Sequence, residues 1–289
     1  MSTTVSEHSG DLYRSAACSA ATQAARLIHW FRPADRYVIA LSGGVDSAVV
    51  AKAAVEAGVA PIACTAAGPA LSAREREDAS RLACQIGIAH QWIDAGEIRA
   101  AEYRRNGPDR CFACKSRLYQ AMQDRFPEAI LVNGTNADDL DDYRPGLQAA
   151  REYGVRSPLV ELGFSKRDVR MLAAHWQLVV AEKPASPCLA SRIAHGVEVT
   201  PQRLQQIDSA EMVIRQVLGI DDCRVRLHPG NMARIELPER AFYLLASEDT
   251  RQTILRRLKE LGFLFVTLDL EGQRSGSLNQ LLHLPIAAP

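Results

Sequence analysis

The sequence predicts an α/β fold, a doubly wound parallel sheet followed by a small C-terminal α+β unit. Three observations support this. Short apolar runs alternate with helix-length segments over the first two-thirds of the 289 residues. The run Tyr37–Leu41 passes directly into a Gly43–Gly44 turn and then a helix, as strands do at the ligand-binding rim of such sheets. From about Thr200 the order changes to helix, two strands, helix, strand. The boundary falls between Gly196 and Pro201, giving units 1–199 and 200–289.

In order along the chain, a helix is expected around Ser15–Phe31, followed by the strand 37–41. The next helix runs from Ser47 to about Ala57 and stops at Gly58. Ala60–Ala66 is the second strand. Ser72–Ile86 is a charged amphipathic helix opened by a Ser72/Glu75 capping box. Ala89–Ile93, a helix around Phe112–Arg125 and Ala129–Asn133 continue the alternation. Ser165 caps a helix over Lys166–Gln177. In the second unit Pro201 opens a helix to Leu218. Asp222–His228 and Ala233–Leu237 are strands, Glu239–Leu261 is helical with a break at Ser247, and Phe263–Leu268 is the last strand.

Composition narrows the function. Lysines and arginines balance aspartates and glutamates, 34 to 34, so no surface for coating nucleic acid is expected. A small phosphorylated substrate needs only local charge. No apolar run approaches the roughly 20 residues of a membrane span. MSTTVSEHSGDLYRS lacks a basic segment followed by an apolar one, so no signal peptide and a cytoplasmic location are expected. The seven cysteines have no disulfide-scaffold spacing. Cys18, Cys64, Cys84 and Cys223 lie in apolar segments and read as small buried side chains.

Five segments carry chemistry. In SGGVDS, Gly43 and Gly44 allow the backbone to approach a ligand closely. Ser42 and Ser47 add hydroxyls, and the helix starting near Asp46 or Ser47 presents its N–H groups: an anion cradle. No Gly-Lys-Ser/Thr follows, so it is not the P-loop of kinases. NGTNADDLDDYRPGLQAA, from Asn133 to Ala150, reads as a polar acidic loop on the same rim. RCFACK places Cys111 and Cys114 at a helix start, where the N-terminus and Arg110, Lys115 and Arg117 favour thiolates. A redox pair, part of a metal or cluster site, and two incidental cysteines all fit that pattern. KPASPCLASR holds Cys188 in a proline-rigid loop. With Cys111 and Cys114 it would supply three thiolates, one short of a full four-cysteine cluster. CRVRLH places Arg224, Arg226 and His228 on one strand face, with Arg234 and Glu236 sharing a face of the next strand. Paired arginines suit a phosphate, and an exposed basic face beside acidic neighbours competes with that reading.

Together SGGVDS, NGTNADDLDDYRPG, RCFACKSRLY, GVRSPLVELGFSK, KPASPCLASRI, RVRLH…ARIEL and LDLEGQRSGSLN resemble the LarE family, within the PP-loop (adenine nucleotide α-hydrolase, HUP-like) superfamily. The matching strings run from about residue 15 to residue 282. The resemblance implies an ATP- and Mg²⁺-dependent sulfurtransferase of nickel-pincer nucleotide biosynthesis. A carboxylate of pyridinium-3,5-biscarboxylic acid mononucleotide is adenylated and then becomes a thiocarboxylate. It further implies that Ser42, Gly43, Gly44, Asp46 and Ser47 hold the ATP pyrophosphate. Ser191, Arg192, Arg224, Arg226 and Arg274 would bind substrate, and Cys111, Cys114 and Cys188 would carry a [4Fe–4S] cluster and the catalysis. Homo-oligomers built from trimers (trimer or hexamer) and contacts with other nickel-pincer biosynthetic proteins belong to the same expectation. Gln273 stands where an aromatic is expected beside Arg274, which leaves that arginine's role open.

Within the family, a version that sacrifices the sulfur of Cys188 and leaves dehydroalanine is the nearest alternative. A tRNA thiolase would need a basic RNA-binding appendage, and an amide-forming synthetase would need an ammonia source. A non-enzymatic nucleotide-binding module would have no use for three cysteines and paired arginines.

Overall fold

The computed structural model describes residues 20–140, 145–184, 186–274 and 276–278. Cys18 and the first residues of the expected N-terminal helix lie outside them. Residues 20–30 are helical (α1). They are followed by Tyr37–Ala40 (β1), Val45–Glu56 (α2), Ile62–Ala66 (β2), Ala73–Ile86 (α3) and Ala89–Ile93 (β3). Next come the one-turn helix Ala101–Arg104 (α4), Arg110–Arg125 (α5) and Ile130–Val132 (β4). Pro145–Glu152 (α6), Pro158–Glu161 (α7), Lys166–His175 (α8) and Pro201–Leu218 (α9) complete the run before the second sheet. That sheet comprises Arg224–His228 (β5), Met232–Glu236 (β6) and Phe265–Leu268 (β7), with Glu248–Glu260 (α10) before β7.

The first sheet has strand order β3-β2-β1-β4 and is parallel throughout. Every residue of β1 is buried, as an apolar strand flanked by helices must be. The order reverses between β1 and β4, which makes the loops after these two strands the topological switch point. The core of this unit joins β1 to α2, α3 and α8 through Ile39, Val49, Leu82 and Leu172. Local chemistry fixes the element ends. Ser165 and Asp168 cap α8 reciprocally, in a capping box.

The second sheet has order β5-β6-β7, with β5 and β6 antiparallel and β6 and β7 parallel. Thr200 caps α9 ahead of Pro201, and Gly219 closes it in the left-handed conformation. Val225 and Leu227 of β5 pack with Leu204, Ile207 and Ile214 of α9. Ser247 accepts from the Thr250 N–H and starts α10, at the expected break. The segment before it, Glu239–Ala246, is 3₁₀ rather than α-helical.

Two compact units result. One comprises 20–67, 74–95 and 115–186; the other comprises 68–73, 96–114 and 187–278. The second unit therefore takes two excursions from the first two-thirds of the sequence, including the start of α5. Two local expectations change. Part of the presumed acidic loop is helical, because Pro145 suits a first turn and Ala149 and Ala150 are buried. Cys84 is exposed, since α3 buries Ala79, Leu82, Ala83 and Ile86 instead. Among the described residues no helix is long and apolar enough to cross a membrane.

Candidate functional site

The turn after β1 has the geometry of an anion cradle. Gly43 adopts φ +76°, a conformation that side chains disfavour. Ser42 Oγ and Ser47 Oγ lie 3.1 Å apart, and Ser47 Oγ also accepts from the Ser42 N–H at 3.1 Å. Ser47 Oγ in turn donates to the Gly44 carbonyl at 3.1 Å. Gly44 is the N-cap of α2 and no side chain caps that helix, so its first N–H groups can serve a ligand. The loop after β4 closes in tightly. A Cβ on Gly134 would fall 2.5 Å from the Ser47 backbone nitrogen.

Asp46 does not act alone. Its carboxylate takes a hydrogen bond from Asn136 Nδ2 at 3.0 Å and an ion pair from Lys166 Nζ at 2.6 Å. Lys183 Nζ reaches the Gly43 carbonyl at 3.4 Å and pairs with Asp78 at 3.0 Å. Burial works against the Asp78 carboxylate, but hydrogen bonds from Lys183 and Arg81 outweigh it and hold its pKa below the ordinary value. Two lysines thus stand at the glycine turn, each held by an acid. Sequence reasoning named neither as a site residue. Lys166 could have been found within SPLVELGFSK, because it follows a capping serine on a rim helix.

The second unit contains all three predicted cysteines. Cys111 lies in the first turn of α5, Cys114 one turn on, and Cys188 immediately before the 3₁₀ turn Leu189–Arg192. Cys111 and Cys188 are exposed and Cys114 is half-buried. They share neighbours. Burial disfavours the charge on Arg110, yet Cys188, Cys111 and Tyr103 nearby raise its pKa. Burial first, then Cys188 and Cys114, pushes the Tyr103 phenol up. The Tyr103 hydroxyl is buried without a hydrogen-bond partner among the described residues. Cys64 and Cys223 are different. Burial pushes each up to about 12, which makes them inert thiols.

Of the predicted arginines, Arg192, Arg224 and Arg226 are buried in the same unit and Arg274 is half-buried. Arg192 pairs with Glu211 at 3.0 Å, and Arg226 with Glu236 at 2.8 Å. Glu236 is fully buried and also holds Arg234 at 3.2 Å and Ser277 Oγ at 2.6 Å. Arg274 pairs with Glu271 at 2.5 Å. Arg224 is the exception. It donates to the Arg274 carbonyl at 2.9 Å and has no ion pair among the described residues. Burial, with Arg226 and Arg192 nearby, lowers its pKa to about 10. The Ser191 carbonyl accepts from Arg226 Nη1 at 3.0 Å. Glu211 and Arg110 had no place among the predicted site residues, and nothing in the spacing of Glu211 along α9 marks it.

No protein-family model matches the chain. Over 268 residues it is 36% identical to pyridinium-3,5-bisthiocarboxylic acid mononucleotide synthase of Lactiplantibacillus plantarum, covering 91% of this chain and 95% of that one. The chain belongs to the LarE family. It is also 43% identical over 263 residues to an uncharacterized protein of Synechocystis, covering 89% of this chain and 96% of the other. A third relative, from Methanocaldococcus jannaschii and also uncharacterized, is 28% identical over 181 residues, 62% of this chain and 69% of its own. Among the described residues no three His, Cys, Asp or Glu side chains are grouped to hold a single metal ion. Cys111 and Cys188 lie near Arg110, and Cys114 and Cys188 near Tyr103.

Proposed function

We propose that this LarE-family chain is an ATP-dependent sulfurtransferase acting on pyridinium-3,5-biscarboxylic acid mononucleotide. Arg224 carries the reading: a buried guanidinium with no carboxylate partner among the described residues, in the same unit as Cys111, Cys114 and Cys188. Burial and the neighbouring Arg226 and Arg192 cost its charge more than Glu236 and Glu211 return, and a substrate phosphate would supply a direct anionic partner. Residues 1–199 would carry adenylation, and 200–289 would carry phosphate recognition and assembly into a homo-oligomer.

In this reading a substrate carboxylate oxygen attacks the α-phosphorus of ATP. The α–β bridging bond breaks and pyrophosphate leaves. The Gly43–Gly44 turn and the α2 N-terminus would hold the leaving pyrophosphate, with Ser42 and Ser47 as hydroxyl donors. Lys166 and Lys183 would exchange Asp46 and Asp78 for phosphate oxygens. Mg²⁺ would supply further neutralisation of the leaving group. Sulfur then attacks the acyl carbon and AMP departs. A [4Fe–4S] cluster held by Cys111, Cys114 and Cys188 would supply that sulfur as sulfide when bound. Arg110 would balance negative charge on the thiolates, and Ser191 would orient the nucleotide.

Incubating the air-free protein with ATP, Mg²⁺ and the biscarboxylate mononucleotide should release pyrophosphate and AMP and yield a thiocarboxylate. Protein made without air should contain about four irons per chain and absorb broadly near about 400 nm. Iron-free protein that turns Cys188 into dehydroalanine during turnover would replace the cluster version with the sacrificial one. Nucleotide binding without pyrophosphate release would overturn the enzyme reading.

A further inference from the structure

We propose that Thr65 of β2 and His90 of β3 are positioning residues for the glycine turn, fixing the peptide through which β1 enters it. The β1–β2 ladder ends at Leu41, whose N–H donates to the Cys64 carbonyl at 2.8 Å. The Leu41 carbonyl takes a side-chain donor instead: Thr65 Oγ1 donates to it at 2.7 Å in buried surroundings. On the opposite edge of the same peptide, the Ser42 N–H donates to Ser47 Oγ at 3.1 Å. The Leu41–Ser42 peptide plane is therefore held from both edges. Ser47 Oγ passes the constraint on by donating to the carbonyl of Gly44, the N-cap of α2.

Proton counting extends this chain to β3. A threonine hydroxyl has one proton, and here it lies toward the Leu41 carbonyl, because two oxygens do not rest 2.7 Å apart without one. The 2.9 Å contact between Thr65 Oγ1 and His90 Nε2 is then a hydrogen bond from the ring N–H to the hydroxyl. Burial lowers the His90 pKa, so near neutral pH the ring is uncharged and its one proton sits on Nε2. A hydroxyl that accepts from His90 is a stronger donor to Leu41. An edge contact with Trp92, ring centres 4.8 Å apart, sets the imidazole's orientation. Arg76 lies over Trp92 at 4.9 Å and donates to the Ala67 carbonyl at 3.2 Å. Every residue of this line belongs to the first unit. Valine would fill the space of Thr65 and suits a buried strand equally well, so packing alone does not account for the hydroxyl. Its use is to aim the turn: a rotated Leu41–Ser42 peptide would misdirect the N–H groups that follow it, and pre-aimed donors need no reorganisation when charge develops.

The inference rests on the proposed function for its probe, ATP with Mg²⁺, with AMP as the control that lacks a pyrophosphate. The full chain would be compared with Thr65→Val, Thr65→Ser, His90→Leu and His90→Gln, the glutamine offering an amide N–H in place of Nε2. Thr65→Val should speed amide exchange at Ser42 about tenfold and weaken ATP about tenfold, with AMP held within about twofold. Thr65→Ser should bring both back to within about threefold of the wild type. His90→Leu should weaken ATP about threefold, and His90→Gln should recover it. Long-range nitrogen–proton spectra of histidine-labelled protein should show the His90 proton on Nε2. Should Thr65→Val fail to fold, His90→Leu set against His90→Gln, together with the tautomer, carries the test. A proton on Nδ1, equal weakening of ATP and AMP, or unchanged exchange and ATP affinity in Thr65→Val overturns the inference. If the wild type binds no ATP, the nucleotide reading falls, and Ser42 exchange and the His90 tautomer still decide the positioning.

Discussion

The glycine turn after β1 and the arginine cluster of the second unit both gather cations, by opposite means. Lys166 and Lys183 are partly exposed point charges on flexible stems, paired with partly exposed Asp46 and Asp78. Arg192 and Arg226 are buried planar groups locked to buried Glu211 and Glu236. Exchanging partners is cheap at the first place and expensive at the second. The first suits a leaving group that arrives and departs each cycle. The second suits a scaffold that must hold one geometry.

The sharpest way to break this contrast is to remove an anchor from the buried cluster. Glu236→Ala leaves Arg226 without its buried partner and should cost about 3–5 kcal/mol in denaturant unfolding. A loss below about 1 kcal/mol would mean the cluster is no more rigid than the lysine turn. Gly134→Ala puts a methyl against the Ser47 backbone and should cost about 1–3 kcal/mol, with a fall in ATP-dependent pyrophosphate release.

Arg224→Met tests an arginine with no ion pair among the described residues and should abolish the stabilisation of the protein by a mononucleotide. Its pKa of about 10 lies below that of an unfolded arginine, so the penalty for its charge holds in full below about pH 10 and fades as pH rises through it. The unliganded variant should therefore melt no lower than the wild type. Lys166→Met, at the lysine turn, should change stability by less than about 1 kcal/mol while slowing pyrophosphate release. The smallest effect is titrational. Burial lowers the pKa of His90, His195 and His228, so below about pH 6.5 the unfolded chain binds protons that the fold resists. Stability present above that pH should decline as pH falls, which urea midpoints from about pH 7.5 to 5 would reveal.

The parallel sheet was legible because apolar runs of strand length alternate with capped helices. The Ser165 cap and the break at Ser247 were visible for the same local reason. Compactness was not legible, because 68–73 and 96–114 join the second unit through contacts distant in sequence. The glycine turn could be read from SGGVDS alone, whereas Lys183 required knowing that the segment after α8 returns to that turn. Period-two spacing put Arg224 and Arg226 on one face. It could not say that Glu236, set opposite Arg224 by the β5–β6 register, reaches diagonally to Arg226 and leaves Arg224 without an ion pair among the described residues.

Cys84, exposed on α3, has no place in the proposed chemistry, and that makes it useful. Each molecule carries its own dosimeter for thiol reagents. Oxidised stock, decayed reagent or a mismeasured concentration slows Cys84 and Cys188 alike, whereas a change in the Cys188 turn alters only their ratio. Peptide mapping of both residues in one digest would therefore compare variants without a separate standard. Cys84→Ser would remove that reference, and belongs only in samples where cross-linking through this thiol has been observed.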